Sequence, residues 1–568
     1  MKRLLSYLRT YTKESVLAPL FKMLEAILEL FIPVIVARMI DVGIAGQDTG
    51  YILRMALLML LLALLGLAVS ITAQYFAAKA AVMTSDVIRR DLFAHILSFS
   101  WRQIDEQGAS ALITRMTSDI NTVQNGINMF LRLFMRSPFV VFGAWIMAFT
   151  VDARTAVIFA LIIPLLLIII FFIMLVTMPL YRHVQQRLDA VMQTARENLQ
   201  GVRVVRAFNR QAQEMQAFDQ ESEALYRQQI FAGKISALLN PLTYAIINLG
   251  IIAILWAGGK QVDAGLLTQG KVIALINYMS QILVELVKLA SLIILLSRAI
   301  ASMKRIDAVF SDVNGQQDGS LPFPADASVR FDHVSFSYSP DAADTLTDVS
   351  FFVPAGSTIG IIGGTGSGKS TLVHLLPRFY EPREGSIQIG GTDIRSVSAK
   401  ALRSHIGMVP QKALLFQGTL RENMQWGCPD AGDDQIWDAL AVAQAADFVR
   451  EKGEGLNMKI EQEGRNLSGG QRQRLTIARA LTGHPDILIL DDSASALDYA
   501  TDAALRKAIH EESSGRTVFL VSQRVSTVRN ADQILVMADG KPEGIGTHAQ
   551  LLKDCEEYRS ICASQGVS

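Results

Sequence analysis

The sequence predicts an all-α polytopic membrane domain of six transmembrane helices fused to an α/β P-loop domain. Three observations point there. Half of the 568 residues are apolar, and the long apolar runs crowd into the first half of the chain. A turn-rich linker, SDVNGQQDGSLPFPADA at 311–327, closes that region. Beyond it come short strand-like segments, one of which feeds a glycine-rich phosphate loop and a helix start.

The expected organisation is a membrane domain at 1–310, a linker at 311–327 and a second domain at 328–568. At roughly 150 residues per domain the length accommodates about three to four domain equivalents, here in two unequal halves. The 53 Lys and Arg balance the 53 Asp and Glu, so charge gives no reason to expect a nucleic-acid partner.

The start, MKRLLSYLRTYTK, spaces Leu4, Leu5, Leu8 and Tyr11 as one helical face, with Lys2, Arg3, Arg9 and Lys13 between them. That pattern suits a helix lying on the inner membrane surface. A cleaved signal peptide is the competing reading; the late first apolar run and the lack of a small-residue cleavage pattern argue against it. About 20 apolar residues span the hydrocarbon core. The stretches 55–81 and 156–180 do so most clearly, while 16–40, 127–150, 236–257 and 272–300 are interrupted by charges. The basic residues orient them. Arg89, Arg90, Arg102 and Arg115 fall in one long loop, and Arg182, Arg187, Arg196, Arg203, Arg206, Arg210, Arg227 and Lys234 in another, so both ends of the domain should face the cytoplasm.

Neither 79–136 nor 181–240 contains proline, so each long loop reads as continuous helix extending tens of ångströms past the bilayer. The tips, expected near 110–121 and 204–214, are contact points for a cytosolic domain or else solvated stalks. Cys428, Cys555 and Cys562 all fall in the half expected to be cytosolic. Thiols are kept reduced there, so no disulfide framework is expected, and no paired Cys/His spacing suggests zinc.

In the second domain VRFDHVSFSY alternates like a strand, and ILILDD at 487–492 reads as a buried parallel strand. GSTIGIIGGTGSGKSTLVHLLPRF at 356–379 gives strand, glycine turn and helix. Gly363, Gly364, Gly366 and Gly368 let backbone N–H groups turn inward around phosphate at the positive end of a helix. Lys369 is placed for the β/γ-phosphates and the Ser370 hydroxyl for magnesium. Asp491, ending its apolar strand, is expected at the strand's carboxyl edge in the magnesium shell.

Taken in chain order, Tyr338, the phosphate loop, Gln411 in VPQ, LSGGQ at 467–471, ILILDD and SALD at 495–498 resemble ATP-binding cassette (ABC) proteins. RVVRAF at 203–208, EQEGRN at 461–466 and GTHAQLL at 546–552 are similar to the exporter branch, with fused membrane and nucleotide domains. With the membrane half included, the resemblance covers nearly the whole chain. It implies ATP and Mg2+ as cofactors, held by Gly363, Gly364, Thr365, Gly366, Ser367, Gly368, Lys369, Ser370 and Thr371. It makes Tyr338 the stacking partner of adenine, and Ser370, Gln411 and Asp491 the magnesium ligands. Ser468, Gly469, Gly470 and Gln471 would close over ATP held by another subunit. A chain with one cassette is then a half-transporter that works as a dimer.

Two positions depart from that pattern. The family places Glu after the strand Asp to polarise the attacking water; this chain has Asp492, one methylene or about 1.5 Å shorter. A base must sit within about 3 Å of its proton, and an error near 1 Å costs on the order of a hundredfold. Where the family has a γ-phosphate-contacting His, this chain has Gln523, an amide that cannot titrate. Together the changes resemble the degenerate-site subunit of bacterial heterodimeric multidrug exporters. The expectation is ATP-driven export of hydrophobic or amphipathic small molecules from the bacterial inner membrane, with a cytoplasmic cassette. The partner would be a second half-transporter with Glu and His intact, and lipid would surround the pair. The alternatives are a homodimeric lipid or peptide exporter in which both changes are neutral, a regulatory ATP-binding subunit, or a channel.

Charges inside spans are costly and mark pathways or internal pairs. Glu25 and Glu29 share a helix face, with Lys22 one turn before Glu25. Glu285 and Lys288 are similarly spaced in the last span, and Arg132 and Arg136 lie in the third. Either they form an acidic cavity surface that favours cationic drugs, or they pair internally or sit at helix ends.

Overall fold

The computed structural model describes every residue except 1, 313–315, 317, 340–341, 494–496, 513–514 and 567–568. Part of the SALD motif and part of the linker therefore lie outside the described residues. The chain divides into two compact units: Met1–Leu97 with Ala109–Asp312, and Ser98–Gly108 with Val313–Ser568.

The first unit is helical: α1 (Lys2–Thr10), α2 (Thr12–Arg38), α3 (Thr49–Leu97), and, after the short α4 (Trp101–Gln107) that belongs to the other unit, α5 (Ala109–Thr114), α6 (Ile120–Met129), α7 (Arg136–Val151), α8 (Ala153–Gln200), α9 (Val202–Ala207), α10 (Gln211–Ala237), α11 (Leu239–Asp263) and α12 (Gln269–Ser311). Five helical stretches among the described residues are long and apolar enough to cross a membrane: Thr49–Leu97, Ala109–Val151, Ala153–Gln200, Gln211–Asp263 and Gln269–Ser311. The first of the six expected spans is present as α2, 27 residues long. Lys22, Glu25 and Glu29 lower its hydropathy, which is why it does not join the five.

Those charges are paired inside the unit. Lys22 pairs with Glu25. Arg136 at the start of α7 binds Glu29 of α2, and its second terminal nitrogen lies 2.7 Å from Glu285 of α12. Glu285 is 3 % exposed and also accepts from Ser137 at 2.9 Å and from Lys288 at 3.2 Å. Internal pairing is therefore what the structure contains, and the network ties three helices together. A buried ion pair of this kind is tolerable because each charge finds a partner and a hydrogen bond.

The long loops are not continuous helix. The first breaks at residues 98–100, where Ser100 caps α4 through a capping box with Gln103, and again at Gly108, whose φ of +74° ends α4. The second breaks at Gly201 and at 208–210. Absence of proline permits a helix, but capping residues and glycine still end one. The part of the first loop that joins the second unit is 98–108, about ten residues before the expected tip. The 110–121 stretch stays in the first unit, where Asp119 pairs with Arg305 of α12.

The second unit is built on three sheets. Its strands are β1 (Val329–Phe336), β2 (Leu346–Val353), β3 (Thr358–Gly363), β4 (Glu384–Ile389), β5 (Thr392–Asp393), β6 (Ile406–Val409), β7 (Gly418–Thr419), β8 (Lys459–Ile460), β9 (Ile487–Asp491), β10 (Thr517–Val521), β11 (Gln533–Ala538) and β12 (Lys541–Gly546). The central sheet runs β12-β11-β3-β10-β9-β6, parallel except for β12. Every residue of β9 and β10 is buried. Leu488, Leu490, Val518 and Leu520 enter one core and Ile487, Ile489, Phe519 and Val521 the other. The two-residue period thus divides an unbroken apolar run between two faces.

The helices of this unit are α13 (Lys369–Leu375), α14 (Ala399–Ser404), α15 (Leu420–Gln425), α16 (Asp433–Val442), α17 (Ala446–Glu451), α18 (Gly469–Leu481), α19 (Tyr499–Glu512), α20 (Val525–Val528), α21 (His548–Asp554) and α22 (Glu556–Ser564). Leu321 of the linker is bonded on both sides to the cassette, its N–H to Ser396 and its carbonyl to the Ser398 N–H, each at 3.0 Å. The three cysteines are free thiols.

Candidate nucleotide site

Parallel strands that lie side by side end side by side. β10 pairs with both β3 and β9, and Val521 stands opposite Ile361 on one and Asp491 on the other. The loops that leave these three strands carry Lys369, Asp492 and Gln523, so residues far apart in sequence meet at one carboxyl edge. They line a cavity of about 260 Å³ with Thr345, Thr365, Gly366, Gly368, Ser370, Thr371, Gln411, Asp491, Val521 and Ser522.

The loop before α13 needs its glycines. Gly368 has a φ of +91°, and a Cβ there would lie 2.7 Å from Leu346. Gly366, at +84°, has open space around it, so its requirement is conformational. Lys369 is 8 % exposed and donates to the Gly363 carbonyl at 2.9 Å, the Gly364 carbonyl at 2.5 Å and Ser367 at 3.1 Å. Burial lowers its pKa, while Asp492 and Asp491 pull the other way. An anionic ligand would stabilise the ammonium further.

Asp491 is 2 % exposed, and Ser370 donates to its Oδ1 at 2.9 Å. A hydroxyl and a carboxylate in contact, with the Gln411 side chain in the same cavity, form the hard oxygen set that suits magnesium. Asp492 sits next to it in the left-handed region, with a φ of +45°. Its N–H is bonded to Val521 at 3.0 Å, and it shares the cavity with Gln411. Burial and then the neighbouring Asp491 hold the Asp492 carboxyl above its usual range, against Gln411, Arg524 and Lys369. Gln523 lines the cavity, and its backbone carbonyl accepts from the Gln565 side chain of the C-terminal segment at 2.7 Å.

Tyr338 reaches Thr371 at 2.9 Å through its hydroxyl, leaving a ring 43 % exposed, so a flat group can stack on it. The signature lies apart from the cavity. Ser468 caps α18 reciprocally with Gln471, and Ser468 and Gly469 are exposed at the helix start, where N–H groups and the helix dipole attract anions. A larger cavity, about 590 Å³, opens beneath α19 among Leu490, Ala503, Arg506 and Leu520, but no phosphate-loop residue lines it. Sequence reasoning passed over Thr345, Ser522 and His374. Only His374 carried a signal, being four residues after Ser370 on the same helix face.

Residues 15–286 match the ABC transporter transmembrane region and residues 346–495 the ABC transporter domain. An uncharacterised ABC transporter ATP-binding protein of Bacillus subtilis (strain 168) is 36 % identical over 566 residues, covering 100 % of this chain and 98 % of that protein. The chain belongs to the ABC transporters. This ABC chain is an ATPase coupled to transport, built as a half-transporter with one membrane domain and one cassette. A Mycobacterium bovis protein named a fatty acid ABC transporter ATP-binding/permease protein is 35 % identical over 462 residues, 81 % of this chain and 72 % of that one. Another Bacillus subtilis (strain 168) protein, provisionally named a multidrug export ATP-binding/permease protein, is 30 % identical over 581 residues, 100 % of both. The fold is that of a solved bacterial Atm1-family ABC exporter, with a TM-score of 0.81 at 24 % identity over 99 % of each chain.

Proposed function

We propose that this chain is the degenerate-site half of a heterodimeric exporter of hydrophobic or amphipathic small molecules, in a bacterial inner membrane with its cassette in the cytoplasm. The observation that carries the reading is Asp492 inside the cavity, a carboxylate one methylene shorter than Glu, with Gln523 lining the same cavity. Such a group reaches about 1.5 Å less far toward an attacking water than a Glu would. Gln523 beside it supplies an amide in place of an imidazole.

The remaining parts are suited to ATP. Lys369 and the loop N–H groups hold the β/γ-phosphates, Thr365 and Thr371 line the same cavity, and Tyr338 stacks on the base. Ser370, Gln411 and Asp491 would hold Mg2+, which would neutralise phosphate charge when bound. The exposed Ser468 and Gly469, with Gly470 beside them, complete the partner's site, where hydrolysis runs. ATP prefers the closed pair of cassettes, and that difference in affinity drives the membrane domains outward.

The test is steady-state ATPase of the purified chain, alone and with its candidate partner, for wild type and Asp492→Glu. Near silence alone, activity with the partner and a rise with Glu support the reading. Robust hydrolysis alone, unchanged or impaired by Glu, sinks it. The second reading, a homodimeric lipid exporter, gains its cargo from the relative named for fatty acids, and the same robust solitary activity would favour it.

A further inference from the structure

Within the second unit one polar side chain stands between the nucleotide cavity and the loop segment 98–108. His374 Nε2 lies 3.5 Å from Asp491 Oδ2, while Ser370 occupies Oδ1 at 2.9 Å. On its other side the imidazole meets Phe379 edge to face, with centroids 6.1 Å apart and planes at 61°. Phe379 in turn stacks on Trp101 of α4 at 4.5 Å and 27°. Tyr380 donates to Asp105 of the same short helix, and the Arg403 guanidinium lies 5.7 Å over the Phe379 ring. A continuous set of contacts therefore runs Ser370, Asp491, His374, Phe379, Trp101.

The terminal torsion of an aspartate is broad, so a carboxylate held at one oxygen can still swing. Ser370 holds one oxygen of Asp491 and His374 faces the other. A separation of 3.5 Å is longer than a good hydrogen bond, and a shift of under about an ångström closes it to the usual 2.7–3.2 Å. The ring that makes the shift is the ring resting on Phe379, so closure at the carboxylate must be felt at the aromatic stack. Close packing carries such a displacement from ring to ring.

We propose that His374 is a positioning residue that fixes Asp491 in its cation-ligating orientation and reports that orientation to Trp101. The inference rests on the nucleotide reading of the cavity. It assigns His374 a part in coupling the cassette to the loop segment that the membrane unit contributes.

The experiment uses the full chain in lipid nanodiscs, with Mn2+ standing in for the cation and ATP present. Mn2+ binding is read by electron paramagnetic resonance. The emission change of Trp101 on addition of Mn2+ and ATP is isolated by subtracting the Trp101→Phe response. In His374→Leu the Mn2+ affinity should fall about tenfold, the lower end of the loss seen when an outer partner of a ligand is removed, and the Trp101 response should vanish. His374→Gln, whose amide can reach the same oxygen but carries no ring to rest on Phe379, should recover the Mn2+ affinity and not the Trp101 response. Phe379→Leu should keep the Mn2+ affinity and lose the Trp101 response.

A His374→Leu protein with Mn2+ affinity within about twofold of wild type, or with its Trp101 response intact, overturns the proposal. Equal loss of Mn2+ affinity in the Leu and Gln variants does so too, because it would mark a packing role. Metal-free ATP binding, measured with chelator, should be equal in wild type and variants. If wild type itself binds no ATP, the nucleotide reading fails first and takes this one with it.

Discussion

Replacing Arg136 by Met tests the ion network directly. The substitution keeps an unbranched apolar stem and removes the charge that holds both Glu29 and Glu285. Glu285 is 3 % exposed and would be left with Ser137 and Lys288, while Glu29, 40 % exposed at its side chain, is less confined. Removing one member of a buried pair costs about 3–5 kcal/mol, and the two surviving partners of Glu285 place this case near about 3 kcal/mol. At about 2–4 °C per kcal/mol the thermal midpoint of the membrane domain should drop by roughly 6–12 °C. The double variant Arg136→Met with Glu285→Leu buries no orphan charge, and its midpoint should lie within about 4 °C of wild type. Thermal unfolding in nanodiscs, followed by tryptophan emission, measures all three. A single variant as stable as wild type, or a double variant no better than the single, would refute the reasoning that these charges matter through mutual burial.

Three further outcomes are expected. Because burial raises the folded-state pKa of Asp492, its contribution to stability is fully present at acid pH and is lost as pH rises through that raised value. Asp492→Asn, which has no proton to lose, should therefore gain thermal stability over wild type as pH rises from about 4, the ordinary Asp value, through the raised one; a constant difference from about pH 4 upward would contradict the burial argument. Tyr338→Ala should weaken ATP binding about tenfold, the lower end of base–aromatic stacking, and equilibrium binding of a fluorescent ATP analogue reads it. Ser468→Arg should reduce ATPase of the assembled pair by about a hundredfold or more, as loss of transition-state electrostatics does, while ATP retention by this chain alone stays unchanged.

The sequence by itself determined the two-part architecture, the apolar spans and the phosphate loop. Hydropathy over 20 residues and a glycine pattern over eight are local properties, and local chemistry dictates them. It also indicated that Asp492 and Gln523 depart from the family pattern. Tertiary structure alone decided which distant groups meet. Arg136 finds Glu29 across 107 positions and Glu285 across 149, a pairing no spacing rule encodes. Residues 98–108 leave their helical neighbours for the other unit because Ser100 and Gly108 break the helix on either side. The cavity exists because β3, β9 and β10 end in register, bringing the loop after Gly363 to the same edge as the loops after Asp491 and Val521. His374 gained its place only there, since a helix face shows which way a side chain points but not which strand ends opposite it.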